Sequence, residues 1–198
     1  MPSSQPTMPD AILRSIVRLT NSGVPPIVRV EDEEFAERAI DALNWALHDP
    51  EFLSQVKTAP YSSTLWLSPN NTLLTLTGDE VADIIVSGVE GGSPPDGIVD
   101  IRVEISNLRD GARGSTEIHN PVTTIDTDFF DDCVLRDAPR DLAALLMHEW
   151  MHSAGFEHRI PGGEDRDVPS LLQQIVADLS KPPILPNNRI RAFTDSAV

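Results

Sequence analysis

One stretch, "LLMHEWMHSAGFEHRI" at 145–160, constrains this chain more than any other. It holds three of the five histidines, all within eleven residues. On a helix, residues four apart lie one above the other on the same face, and that is the spacing of His148 and His152. Their imidazoles can converge on one ion at zinc–nitrogen distances of about 2.0–2.1 Å. Glu149 is displaced by one residue, close enough to reach a water at the metal but not placed to share the ion with both histidines. Two nitrogens are too few for a tight zinc site, so the chain must turn to bring a third. Gly155 permits the turn, because it can adopt the positive φ that ends a helix. His158, six residues after His152, then returns toward the ion. The segment therefore reads as three metal ligands (His148, His152 and His158), a catalytic base (Glu149) and a turn. A fourth position left for water marks a catalytic rather than a structural zinc site.

The pattern also fixes a helix. Pro139 suits a first helical turn, Asp137 the cap before it and Gly155 the left-handed stop, which predicts the site helix over 139–154. Upstream, "VEDEEFAERAIDALNWALHD" has Phe35, Ala39, Ile40, Leu43 and Leu47 at helical spacing, with acids in the first turn where the helix dipole favours them. "PEFLSQVKTA" and "TGDEVADIIVSGVEGG" read as short helices, and "VPSLLQQIVADLS" as a C-terminal helix stopped by "KPP". "STLWLS" and "DGIVDIRVEIS" read as strands, the second alternating through Ile101, Val103 and Ile105. "STEIHNP" is a short extended piece and "VTTIDTDFF" a strand running into the acidic "DDCVLRDAP". "PDAILRSIVRLTNSG" reads as a short helix with Ile12, Ile16 and Leu19 on one side. Helices first, then strands, then two helices is an α+β order. Residues 1–30 read as a tail with that short helix, and 31–198 as a single domain.

Composition narrows the partners. A chain of 198 residues with 40% hydrophobic side chains can bury a proper core. A net charge of −16 without a basic patch disfavours nucleic acid and anionic membranes. The lone Cys133 precludes an intrachain disulfide. With no signal-peptide pattern and no span-length apolar run, the default expectation is a cytoplasmic protein, signal-less export remaining open.

His148, Glu149, His152, Gly155 and His158 meet every specified position of H-E-x-x-H-x-x-G-x-x-H, and in this the chain resembles the metzincin clan of zinc-dependent metallopeptidases. The resemblance implies a zincin-like fold, a small twisted mixed sheet above the site helix with a short C-terminal helical part. It also implies an edge strand that binds peptide substrate as an added strand. "STEIHNP" is the candidate edge and "VTTIDTDFF" its neighbour. The resemblance implies one catalytic Zn²⁺ and a peptide or protein substrate. Asp126, Asp128, Asp131 and Asp132 loosely resemble the ion-binding acidic loop of one branch, which would take Ca²⁺. The chain departs from the clan in several respects: its methionines are Met1, Met8, Met147 and Met151, so no Met-turn follows His158, Arg159 after the third histidine fits none of the main families, and no tyrosine or histidine follows His158. Glu164 is the only later glutamate, and it is a poorer third ligand than His158.

The expected activity is peptide-bond hydrolysis in which Glu149 takes a proton from water and passes it to the leaving nitrogen. His119 and Arg159 are candidates for stabilising the oxyanion. The alternative is a catalytically inactive zinc-binding protein of zincin fold whose cleft only holds a peptide or partner. A third reading is hydrolysis of some other amide, such as that of a cell-wall peptide.

Overall fold

The computed structural model describes residues 7–19, 26–91, 94–109, 111–158 and 166–180. Strand β1 (Asp10–Arg18) leads into helices α1 (Val30–Leu47) and α2 (Phe52–Thr58). Strands β2 (Leu65–Leu67) and β3 (Leu73–Thr75) and helix α3 (Gly78–Ser87) follow. Then come β4 (Ile98–Ser106), β5 (Gly114–Ser115), β6 (Val122–Asp126), α4 (Thr127–Leu135), α5 (Pro139–Ser153) and α6 (Val168–Leu179). The architecture is α+β with a mixed four-stranded sheet in the order β1-β4-β6-β5. β1, β4 and β6 run parallel, and β5 is the antiparallel edge. β2 and β3 form a separate antiparallel pair.

The sheet is built on the alternation in β4. Val99, Ile101, Val103 and Ile105 are buried, while Asp100, Arg102 and Glu104 take the opposite, half-exposed face. The apolar face carries the helical layer: α1 packs on β1 and on α5, and α5 packs on α6. α5 is apolar almost all round, with Leu142 to Met147 and Trp150 to Met151 in the core, as befits a helix buried between a sheet and two other helices. Among the described residues no helix is long and apolar enough to cross a membrane.

Four expectations are corrected. "DAILRSIVR" is strand β1, not a helix. Ile12, Ile16 and Leu19 satisfy a helical spacing, but Ile12, Ile16 and Val17 are β-branched and the segment pairs along its whole length with β4, which settles the competition. The acidic run is helix α4, capped by Asp126, whose side chain accepts from the backbone of Asp128 and Phe129. Asp137 does not cap α5: it sits at φ 53° and pairs with Arg38, and Ala138 takes the cap position with Pro139 just inside. "STEIHNP" is extended only at its start, since Ser115 pairs with Thr124 and the chain turns at His119, φ 62°. "KPP", like Glu164 and Arg159, lies outside the described residues.

One buried ion pair ties the N-terminal strand to the helices. Arg18, at 7% exposure, donates two hydrogen bonds of 3.0 Å to Asp32 of α1. It also contacts Asp131 of α4 at 2.7 Å and lies over the Phe130 ring. The Asp32 hydrogen bonds hold the guanidinium charged despite its burial. Asp32 is 5% exposed, whereas the Asp131 side chain is 56% exposed. Breaking a buried pair costs about 3–5 kcal/mol, an exposed one less than about 1 kcal/mol. We expect Asp32→Ala to cost about 3 kcal/mol in urea denaturation and Asp131→Ala less than about 1 kcal/mol. Equal losses would contradict this assignment.

Candidate metal centre

α5 brings His148, Glu149 and His152 to one face near its C-terminal end, and the turn after it returns His158. One ring nitrogen from each histidine lies within 4.8 Å of the others, and this is the group of potential metal ligands found among the described residues. His152 Nε2 and His158 Nε2 are 3.1 Å apart. Two nitrogens bound to one tetrahedral zinc stand about 3.3 Å apart. The His152–His158 spacing is close to that value, and the three rings form a group that could hold a metal ion.

The turn is set by Gly155. Its φ is 104°, and a Cβ there would stand 2.5 Å from Leu67 O, 2.7 Å from His119 Cε1 and 2.8 Å from Trp66 Nε1. β2 clamps the same place: Leu67 N–H donates to Gly155 O, Glu157 N–H to Leu65 O, and Trp66 Nε1–H to Ala154 O. The chain re-emerges at Arg166 and Asp167, where Arg166 O accepts from Ser62 N–H and Asp167 bridges to Ser63. Residues on both sides of 159–165 are thus tied to residues 62–67.

The other ring nitrogens are fixed in turn. His152 Nδ1 is 2.7 Å from Phe156 O and His158 Nδ1 is 2.5 Å from Asp167 Oδ2. Such partners orient metal-binding imidazoles and select the tautomer that offers Nε2. Asp167 is also the cap of α6, accepting from Ser170 N–H. Burial alone would raise its carboxyl, but the hydrogen bonds from His158 and Ser170 bring it down to about 2. His158 is raised by that same bond. Burial, with repulsion from His152 and His158, lowers His148 to about 4, and burial lowers His152 too, so both offer neutral nitrogens at physiological pH. His148 Nδ1 has no aligned hydrogen-bond partner, although a contact with Gln173 of α6 favours its protonated form.

Glu149 is 3% exposed and its Oε2 has no hydrogen-bond partner. Burial pushes its carboxyl up to about 7, against a hydrogen bond from Thr116. Edge strand β5 crosses directly above: a Cβ at Gly114 would collide with the Glu149 carboxylate. Gly114, Ser115, Thr116 and Ile118 close one side of an open cleft of about 400 Å³, with His148, Glu149, His152, Glu157 and His158 on the other.

The four predicted site residues are therefore gathered at one cleft. His119 is not among the residues lining it; its ring packs against Gly155, and its Nε2 is buried without a partner. The four aspartates proposed for calcium lie along β6 and α4, where Asp126 caps the helix and Asp131 and Asp132 engage Arg18 and Arg136. Asp167, Thr116 and Gly114 are the residues that the motif alone does not disclose. Asp167 carries a local signal, an acid before Val-Pro at a helix start, but its bond to His158 is a tertiary contact. Comparison with family models, with curated proteins and with solved structures gives no match for this chain. The functional reading therefore rests on this geometry and on the motif.

Two outcomes follow from the site as a folded object. Gly155→Ala must strain a left-handed backbone and displace Leu67 O, so we expect a loss of at least about 2 kcal/mol in thermal or urea unfolding. A wild-type midpoint would contradict the packing. In metal-free protein, folding favours protonated Glu149, since its value rises from 4.5 to about 7. That contribution is full below the unfolded carboxyl's range and is lost as pH rises through the folded value. His148 acts in the opposite sense but is shared by wild type and a Glu149→Gln variant. Between about pH 5 and pH 8, metal-free wild type should lose roughly 2–3 kcal/mol relative to Glu149→Gln. Parallel stability curves would show that the carboxyl is not buried.

Proposed function

We propose that this protein is a zinc-dependent metallopeptidase of metzincin-like, zincin-like type, in which His148, His152 and His158 hold the ion and Glu149 is the general base. The observation that carries the reading is the state of Glu149. A buried carboxylate with an unpartnered oxygen, beside three converging imidazoles and under a sheet edge, has no structural purpose of its own. The antiparallel edge β5 beside the histidine helix supports the resemblance to the clan.

A zinc ion held by the three histidines would polarise a scissile carbonyl and acidify a water molecule. Glu149 accepts that water's proton at the carboxylate oxygen left free of hydrogen bonds. Its raised affinity for a proton suits it to hold the proton and then donate it to the leaving nitrogen. β5 has one partner, β6, in the sheet, and its other side faces the cleft. An extended peptide can add there as a further strand, placing its backbone over Glu149. Asp167 keeps His158 turned toward the ion and Phe156 O does the same for His152.

Glu149→Gln should retain zinc and lower peptide cleavage by about 10²–10⁴-fold in a peptide-library assay. Undiminished cleavage would overturn the mechanism. If zinc-loaded wild type binds peptides and cleaves none, the protein is the inactive peptide-binding form of the same site. Asp167→Asn should weaken zinc binding about 10–100-fold in competition with a chelating dye. Unchanged affinity would show that the ligand needs no support from α6.

A further inference from the structure

Beside the cleft over His148 and Glu149, on the side where β5 begins, lies a second open cavity of about 630 Å³, with Arg113, Phe129, Asp132, Arg136, Asp141 and Gln173 in its wall. The two share their supports. Arg113 immediately precedes Gly114, Ala144 lies one helical turn before His148 on α5, and Gln173 of α6 contacts His148 as well as lining the second cavity. A peptide lying along β5 and leaving the ion on this side enters the second cavity.

The charges there are unequal in what they have left to offer. Arg136 is satisfied, with Asp132 at 2.8 Å and Asp141 at 2.9 Å. Arg136 balances one of the two negative charges that these carboxylates bring to the cavity wall. Arg113 has no carboxylate partner among the described residues. Its guanidinium lies 5.6 Å over the Phe129 ring, a contact that leaves its N–H groups free to donate. Its backbone carbonyl accepts from Asp126 N–H, so the stem is anchored to the end of β6. A guanidinium with no carboxylate partner among the described residues, one residue from the β5 edge, matches a planar carboxylate that can accept two parallel hydrogen bonds. An antiparallel added strand, the more stable pairing, carries its residues C-terminal to the reacting bond toward Arg113.

Resting on the peptidase reading, we infer that Arg113 forms a carboxylate-recognising subsite, so that the preferred substrates carry an acidic side chain or their own terminal carboxylate on the C-terminal side of the cleaved bond. The experiment starts from a neutral, end-blocked peptide that zinc-loaded wild type cleaves. Two derivatives are made, one with glutamate C-terminal to the cleaved bond and one with a free C-terminal carboxylate. Binding of all three to zinc-loaded Glu149→Gln protein is measured by calorimetry, so that no turnover intervenes. At least one derivative should bind about tenfold tighter than the parent, and the derivative that does so distinguishes side-chain from terminal recognition. Adding Arg113→Gln should remove that gain and Arg113→Lys should keep part of it. Arg102→Gln, the same charge change on the opposite face of the sheet, should keep it whole. Equal binding of the three peptides, or a gain that survives Arg113→Gln, would overturn the inference while leaving the peptidase reading standing. If zinc-loaded wild type cleaves no peptide and Glu149→Gln protein binds none, both fall together.

Discussion

A helix can place two imidazoles on one face but not three around an ion, so everything at this site depends on the reversal at Gly155. That reversal is held from outside. Leu67 O, Trp66 Nε1 and the His119 ring occupy the space that any side chain would need, and β2 bonds to the chain on both sides of the glycine. The short β2–β3 hairpin, minor in the architecture, therefore positions His158. Residues 62 and 63 repeat the device at Arg166 and Asp167, bringing Asp167 to His158. One segment of the chain, residues 62–67, thus fixes both the ligand and its supporting carboxylate.

Burial supplies the chemistry that the geometry leaves open. The same apolar surroundings push Glu149 up toward neutrality and His148 and His152 down. Desolvation disfavours each charged form, so without an ion the site tends to a protonated acid beside neutral bases. A dication reverses that preference for the carboxyl and uses the neutral nitrogens directly. The arrangement is poorly suited to being empty and well suited to a cation, which is why the unpartnered oxygen of Glu149 weighs more than the motif alone.

Much of this was legible in the sequence because it is local. α1, α5 and α6 follow from 3.6-residue spacing, first-turn acids and proline, and the three histidines with Glu149 follow from i, i+4 geometry plus one glycine. What was not legible is what the chain does at long range. β1 and a helix compete for the same apolar residues, and only the parallel partner β4, some 85–90 positions away in the register, resolves it. The run after Asp126 looks like a loop by its charges, yet Asp126 caps it and Arg18 and Arg136 neutralise two of its acids. Nothing local announces that Gly114 must pass over Glu149 or that Asp167 bonds His158.

The central claim is that three imidazoles bind one zinc ion and leave a position open. Zinc K-edge absorption spectroscopy on protein loaded with one equivalent of zinc and dialysed tests it most directly. We expect retained zinc in a four-coordinate shell of three imidazole nitrogens at about 2.0 Å and one oxygen donor. Zinc lost on dialysis, or a shell with fewer than three imidazoles, would contradict the site and the function drawn from it.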